Sequence, residues 1–156
     1  MNLDDYYNEV KKLFSGMKII KEGQTGTGDN SAKAFLFCQV TTNDGRRIAT
    51  QVTVRYRRAI IKYVEVQISN ILFNIKNITP ELQDICLDLS TLLEKEIIID
   101  STSSPNSLTV RTYVCPPDPD SIFVRQSDYK KSLNEIPHSC FMGMKQIQEL
   151  VDKYNL

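Results

Sequence analysis

Cys140 and His138, two residues apart, are the residues of this chain that come nearest to a catalytic pair. A thiol in the first turn of a helix is acidified by the free amides there, and a thiolate with an imidazole in reach is a nucleophile with its base. Ser139 is a candidate cap for a last helix, which would put Cys140 in that turn and make it the centre of any cysteine-dependent enzyme. Sequence neighbours rarely adopt nucleophile–base geometry, however, so the expectation is a structural cysteine beside a surface histidine. No CxxC or HxxxH spacing offers a zinc site. Gly23, Gly26 and Gly28 invite comparison with a phosphate cradle, but the lysine and following Ser/Thr are missing and a strand follows where a helix N-terminus is needed. The carboxylates suit turns and helix starts, and no pair stands out as an acid and base. The residues therefore name no catalytic, cofactor or metal site, and they favour a non-enzymatic protein.

A second kind of chemistry lies in residues 46–70, RRIATQVTVRYRRAIIKYVEVQISN, a β-branched run with no glycine or proline. Ile48, Val52, Val54 and Tyr56 alternate with Arg47, Gln51, Thr53, Arg55 and Arg57, so one face turns inward and the other carries arginine. With Tyr63 and Phe35 or Phe37 beside Arg55 and Arg57, the outer face would be aromatic and basic, the kind of surface on which bases stack. Cross-strand pairing of arginine with Glu65 would neutralise much of it. Lys plus Arg and Asp plus Glu each number 19, for a net charge of zero, and no RNP-like aromatic motif occurs. Nucleic acid is accordingly the disfavoured partner.

The elements that must position these residues follow from periodicity and from turn and cap residues. Helical spacing over 3–15 ends at Gly16, and a short strand over 17–22 precedes a glycine-rich loop over 23–32. A strand over 34–42 turns at Asn43-Asp44-Gly45, a hairpin signal. The run after it divides into two antiparallel strands that turn near 58–60. Thr79-Pro80-Glu81 opens a helix with a cap, a proline at the first position and an acid in the first turn, running to about residue 96. Strands are expected over 97–100 and 108–114, with 122–125 as an optional last one. A short helix from Ser127 or Asp128 should break at Pro137 before the final helix.

The 156 residues are enough for one domain with a continuous core. The acidic, amphipathic start is unlike a signal peptide, and no apolar run is long enough to span a bilayer, so the expected location is cytoplasmic with no membrane contact. Cys38, Cys86, Cys115 and Cys140 lie far apart, as reduced and mostly buried thiols do.

The resulting class is α+β: one domain over residues 1–156, with a single antiparallel sheet and helices mainly on one of its faces, in the order α-β-β-β-β-α-β-β-(β)-α-α. That order resembles the small bacterial secretion-chaperone fold, an analogy of architecture that implies a dimeric protein-binding role. Apolar residues of both parities in 35–40 point the same way, because a sheet covered on one side would leave Phe35 and Phe37 for a partner or a second copy. The expected function is a protein-binding module, chaperone-like or an adaptor, that uses Phe35, Phe37, Arg55, Arg57 and Tyr63. The alternatives are an immunity or antitoxin protein, a Cys140 enzyme, and a nucleic-acid binder on the Arg55/Arg57 face.

Overall fold

The computed structural model describes residues 2–28, 31–58 and 62–156, apart from the side chains of 25–28, 31, 32, 57, 58, 62 and 63. Its elements in chain order are α1 (Leu3–Lys12), β1 (Ile19–Gly28), β2 (Ser31–Thr41), β3 (Arg47–Arg58), β4 (Lys62–Phe73), α2 (Pro80–Leu93), β5 (Glu96–Asp100), β6 (Ser107–Val114) and α3 (Gln126–Tyr154). The six strands form one antiparallel sheet in the order β1-β2-β3-β4-β6-β5, the α+β architecture expected. β6 is inserted between β4 and β5, so β5 runs in the same direction as β4 and is reached by a crossover through α2.

Cap chemistry fixes the starts of α1 and α2, whereas α3 follows Arg125 with no side-chain cap and holds Ser127, Asp128 and Ser139, the expected caps, inside the helix. Asn2 and Asp5 bond each other's backbone amides in a capping box at α1, with Lys11 and Lys12 in its last turn. The Thr79 hydroxyl accepts from the Leu82 amide at 3.2 Å, and Pro80 opens α2. That helix stops at Leu93, because Glu94 turns into the left-handed region at φ 52°. The β2–β3 hairpin closes through Asn43-Asp44-Gly45, where Gly45 holds φ 83°.

All three helices pack on one face. Ala34, Leu36 and Cys38 of β2 lie opposite Val54, Val52 and Thr50 of β3, and these in turn oppose Val66, Ile68 and Asn70 of β4. Their inward side chains meet Tyr6, Tyr7 and Val10 of α1 and Tyr129, Leu133, Ile136 and Cys140 of α3. A second cluster joins Leu72, Leu108 and Val110 to Leu82 and Cys86 of α2 and to Ile147, Leu150 and Val151 of α3.

Three expectations are corrected. Residues 126–154 form one helix rather than two, and Pro137 lies inside it. Proline cannot bond the Leu133 carbonyl, yet buried Tyr129, Leu133, Ile136, Cys140, Gly143, Ile147 and Leu150 continue one stripe through it, and the burial of that stripe outweighs the lost bond. Residues 122–125 form no strand; the chain there follows two successive turns, 118–121 closed by Ser121 N–H to Asp118 and 121–124 closed by Val124 N–H to Ser121. The loop expected over 23–32 is mostly strand: β1 reaches Gly28 and β2 starts at Ser31, with Asp29 and Asn30 outside the described residues. The turn expected near 58–60 lies largely outside the described residues, and β3 and β4 pair up to Arg58 and Lys62.

Candidate functional site

Because the helices share one face, alternate residues of every strand point to a face that no helix covers. Register places them in rows. One row runs Gly23, Phe35, Thr53, Gln67, Tyr113, and the next Lys21, Phe37, Gln51, Ser69, Arg111, Glu96. Toward one end lie Lys33, Arg55 and Glu65, and toward the other Ala49, Ile71, Thr109 and Ile98. Phe35, Phe37, Ile71 and Phe73 are half-buried here, while Tyr113 and Ile98 are exposed.

Of the residues expected at a site, Phe35, Phe37 and Arg55 stand on this face. Arg57 and Tyr63 are backbone partners on β3 and β4, and their side chains lie outside the described residues. The Phe35 ring covers the backbone of Gly23, where an added Cβ would sit 2.7 Å from it, so this aromatic is partly spent on its own edge strand. Arg55 faces Glu65 across the strands at 3.9 Å and donates to Gln67 at 3.5 Å, and Arg111 pairs with Glu96 at 2.9 Å. These pairs cancel two of the arginine charges on the face, as the cross-strand reading expects. Ile71, Phe73, Ile98 and Tyr113 stand on the face beside the expected residues, and Ile71 and Phe73 continue the outward parity of β4 in the sequence.

The two edges of the sheet differ. The Ser90 hydroxyl of α2 accepts from the Ile97 amide at 2.8 Å and donates to the Cys86 carbonyl of its own helix at 2.8 Å, so the outward amide of Ile97 on β5 is already taken. At β1 the pairing with β2 slips between Ile19 and Lys21, with Ile20 exposed at the irregularity. An irregular, lysine-bearing edge discourages strand addition. Contact with the face itself is therefore better provided for than strand addition at either edge.

Cys140 sits at the middle of α3, far from any free helix amide, and is buried against the sheet while His138 is exposed. Burial raises its thiol pKa, a shift that the Asn70 and Thr50 hydrogen bonds only partly oppose. The Asn70 amide donates to Thr50 at 3.0 Å and to the Cys140 sulfur at 3.6 Å. A neutral thiol without an imidazole beside it is no nucleophile, so Cys140 belongs to the packing. Among the described residues, no group of three His, Cys, Asp or Glu side chains could hold a metal ion, and no helix is long and apolar enough to cross a membrane.

No protein-family model, curated protein or solved structure matches this chain.

Proposed function

We propose that the protein is a non-enzymatic binding module, an adaptor or chaperone-like protein, that lays the helix-free face of its sheet against an apolar segment of another protein. The observation that carries this is the uncovered face itself: Phe35, Phe37, Ile71, Phe73, Ile98 and Tyr113 remain partly or largely accessible on it with no helix above them. Glutamine and serine between the apolar side chains, and arginines already paired with carboxylates, suit a protein segment better than a polyanion. The cysteines described are all free thiols, which fits a reducing compartment such as the cytoplasm.

The full-length protein, tagged and recovered from its native cell, is expected to retain one protein in stoichiometric amount. A Phe37→Glu/Tyr113→Glu variant with unchanged circular dichroism and melting should lose it. Retention by the variant, or recovery of the wild type without a partner, overturns the reading.

A further inference from the structure

Away from the sheet face, the turns between β6 and α3 carry the most exposed apolar side chains described, Ile122 and Phe123, each 90% accessible. The tip that presents them is held in place. Ser121 N–H bonds Asp118 and Val124 N–H bonds Ser121, the Phe123 amide donates to the Ser121 hydroxyl, and Val124 packs against the first core cluster. Asp120 and Arg125 flank it, both exposed.

At the other end of α3 there is a groove between that helix and α2. It encloses about 340 Å³, with Ile85, Leu89, Leu93, Leu150 and Tyr154 among its walls and Glu149 and Lys153 on its rim. Gln146 also lines it, and the side-chain oxygen of Gln146 is shielded from solvent without a hydrogen-bond partner. The groove therefore offers apolar walls with one acid and one base at the rim, Glu149 and Lys153. The tip offers two apolar side chains between an acid and a base, Asp120 and Arg125.

The geometry points to a second copy of this chain as the occupant: the Ile122-Phe123 tip of one molecule seats in the α2/α3 groove of the next. A molecule cannot fill its own groove. Gln146 lies twenty residues along α3 from Gln126, about 30 Å at 1.5 Å per residue, while the few residues between the tip and the helix span only about 10 Å. Tip and groove are different surfaces, so the contact is head-to-tail and builds a ring or an open chain of molecules. One loop tip in one groove falls below the roughly 1,200 Å² of a standard interface, so association is weak and grows with concentration.

Sedimentation velocity of the full chain over a concentration series tests this. The wild type should rise above its monomer mass of 17.9 kDa at high concentration. Ile122→Ser/Phe123→Ser, a change confined to exposed side chains, should hold it at the monomer, and Leu93→Arg in the groove wall should do the same. Mixing these two variants restores one good tip against one good groove and should give a species of twice the monomer mass and nothing larger. A wild type that stays monomeric, a tip variant that still associates, or a mixture without the dimer overturns the proposal. Should Leu93→Arg fail to fold, the tip variant decides alone. Neither variant alters Phe37 or Tyr113, so loss of self-association and loss of partner binding by the sheet face are separate results.

Discussion

A thiol reacts according to its access and its thiolate fraction, and on access the four cysteines divide three to one. Cys38, Cys86 and Cys140 are buried and Cys115 is exposed. Burial holds all four pKa values above the ordinary thiol value, with Glu65 adding to the effect at Cys115 and the Cys140 charge at Cys38. A disulfide-exchange reagent at pH 8 should therefore titrate one thiol per folded chain, more slowly than a small free thiol, and four in denaturant. Loss of the fast phase in Cys115→Ser assigns it, and a second fast thiol in the native protein would contradict the burial. Tyrosines add a pH dependence. Burial first, and then the carboxylates Glu9, Asp118 and Asp120, raise Tyr129 from 10.0 to about 12. Tyr6 and Tyr7 move in the same direction, chiefly by burial and then through hydrogen bonds to Asp118 and Glu22. The folded state thus holds these protons more tightly than the unfolded chain. Their contribution is complete below pH 10 and is lost as pH rises through the folded values, at about 1.4 kcal/mol per unit for each group. The buried thiols of Cys38, Cys86 and Cys140, also raised, follow the same rule from the ordinary thiol value upward, so denaturant midpoints should begin to decline near pH 9 and fall more steeply above 10 as the tyrosines add their share. Tyr129→Phe should have a shallower fall, and an equal slope in the variant would show that Tyr129 does not contribute.

Between elements, α3 meets the sheet most closely at Gly143. A Cβ there would lie 2.2 Å from the Asn70 side-chain oxygen, which is buried and accepts no hydrogen bond. Two effects oppose each other in Gly143→Ala. Helix propensity favours alanine by about 1 kcal/mol, whereas overpacking a rigid interface costs about 1–3 kcal/mol. Asn70 is pinned by its bond to Thr50, so packing should win, with a net loss of up to about 2 kcal/mol in chemical denaturation. A gain would mean that the helix can move away. Asn70→Ala makes room for the new methyl group, so the double variant should be more stable than the sum of the two single changes. This contact also shows why the sequence misleads over 126–154. The spacing of Tyr129, Leu133, Ile136, Cys140, Gly143, Ile147 and Leu150 is that of one amphipathic face, but it brackets Pro137, which reads locally as a break. Only burial of the whole stripe against the sheet carries the helix through it. Gly23 is the same lesson in a strand: among glycines it reads as loop, but the Phe35 ring from β2 supplies the side chain that its position lacks. The alternation in β3 and β4, and with it the Arg55–Glu65 pair, needs no such knowledge, which is why that part of the candidate face could be read in advance. The exposed pair Ile122 and Phe123 could not, because a short apolar run is as consistent with a strand as with a tip.

The whole molecule has two hydrophobic clusters, one under α1 and the first half of α3, the other under α2 and its second half. Clusters with separate helices can unfold separately, and a domain of this size needs a reason to behave as one unit. Here the reason is structural: α3 runs through both clusters, Met144 packs against each of them, and β4 contributes Ile68 to one and Leu72 to the other. Neither cluster can expose its core without undocking a helix that the other still holds. The thiols report on the two clusters separately, since Cys38 and Cys140 lie in the first and Cys86 in the second, whereas tyrosines border both. In a Cys115→Ser background, labelling of each thiol, resolved by peptide mass, should follow the same urea curve, with coincident midpoints and slopes. Met144→Ala should lower the stability of both clusters together by about 2–3 kcal/mol, a loss within the range for truncating a packed methionine. If Cys86 became labelled at urea concentrations where Cys38 and Cys140 are still protected, α2 and β5 would form an independent unit. The α2/α3 groove would then open before the rest of the molecule, and cooperativity through α3 would be ruled out.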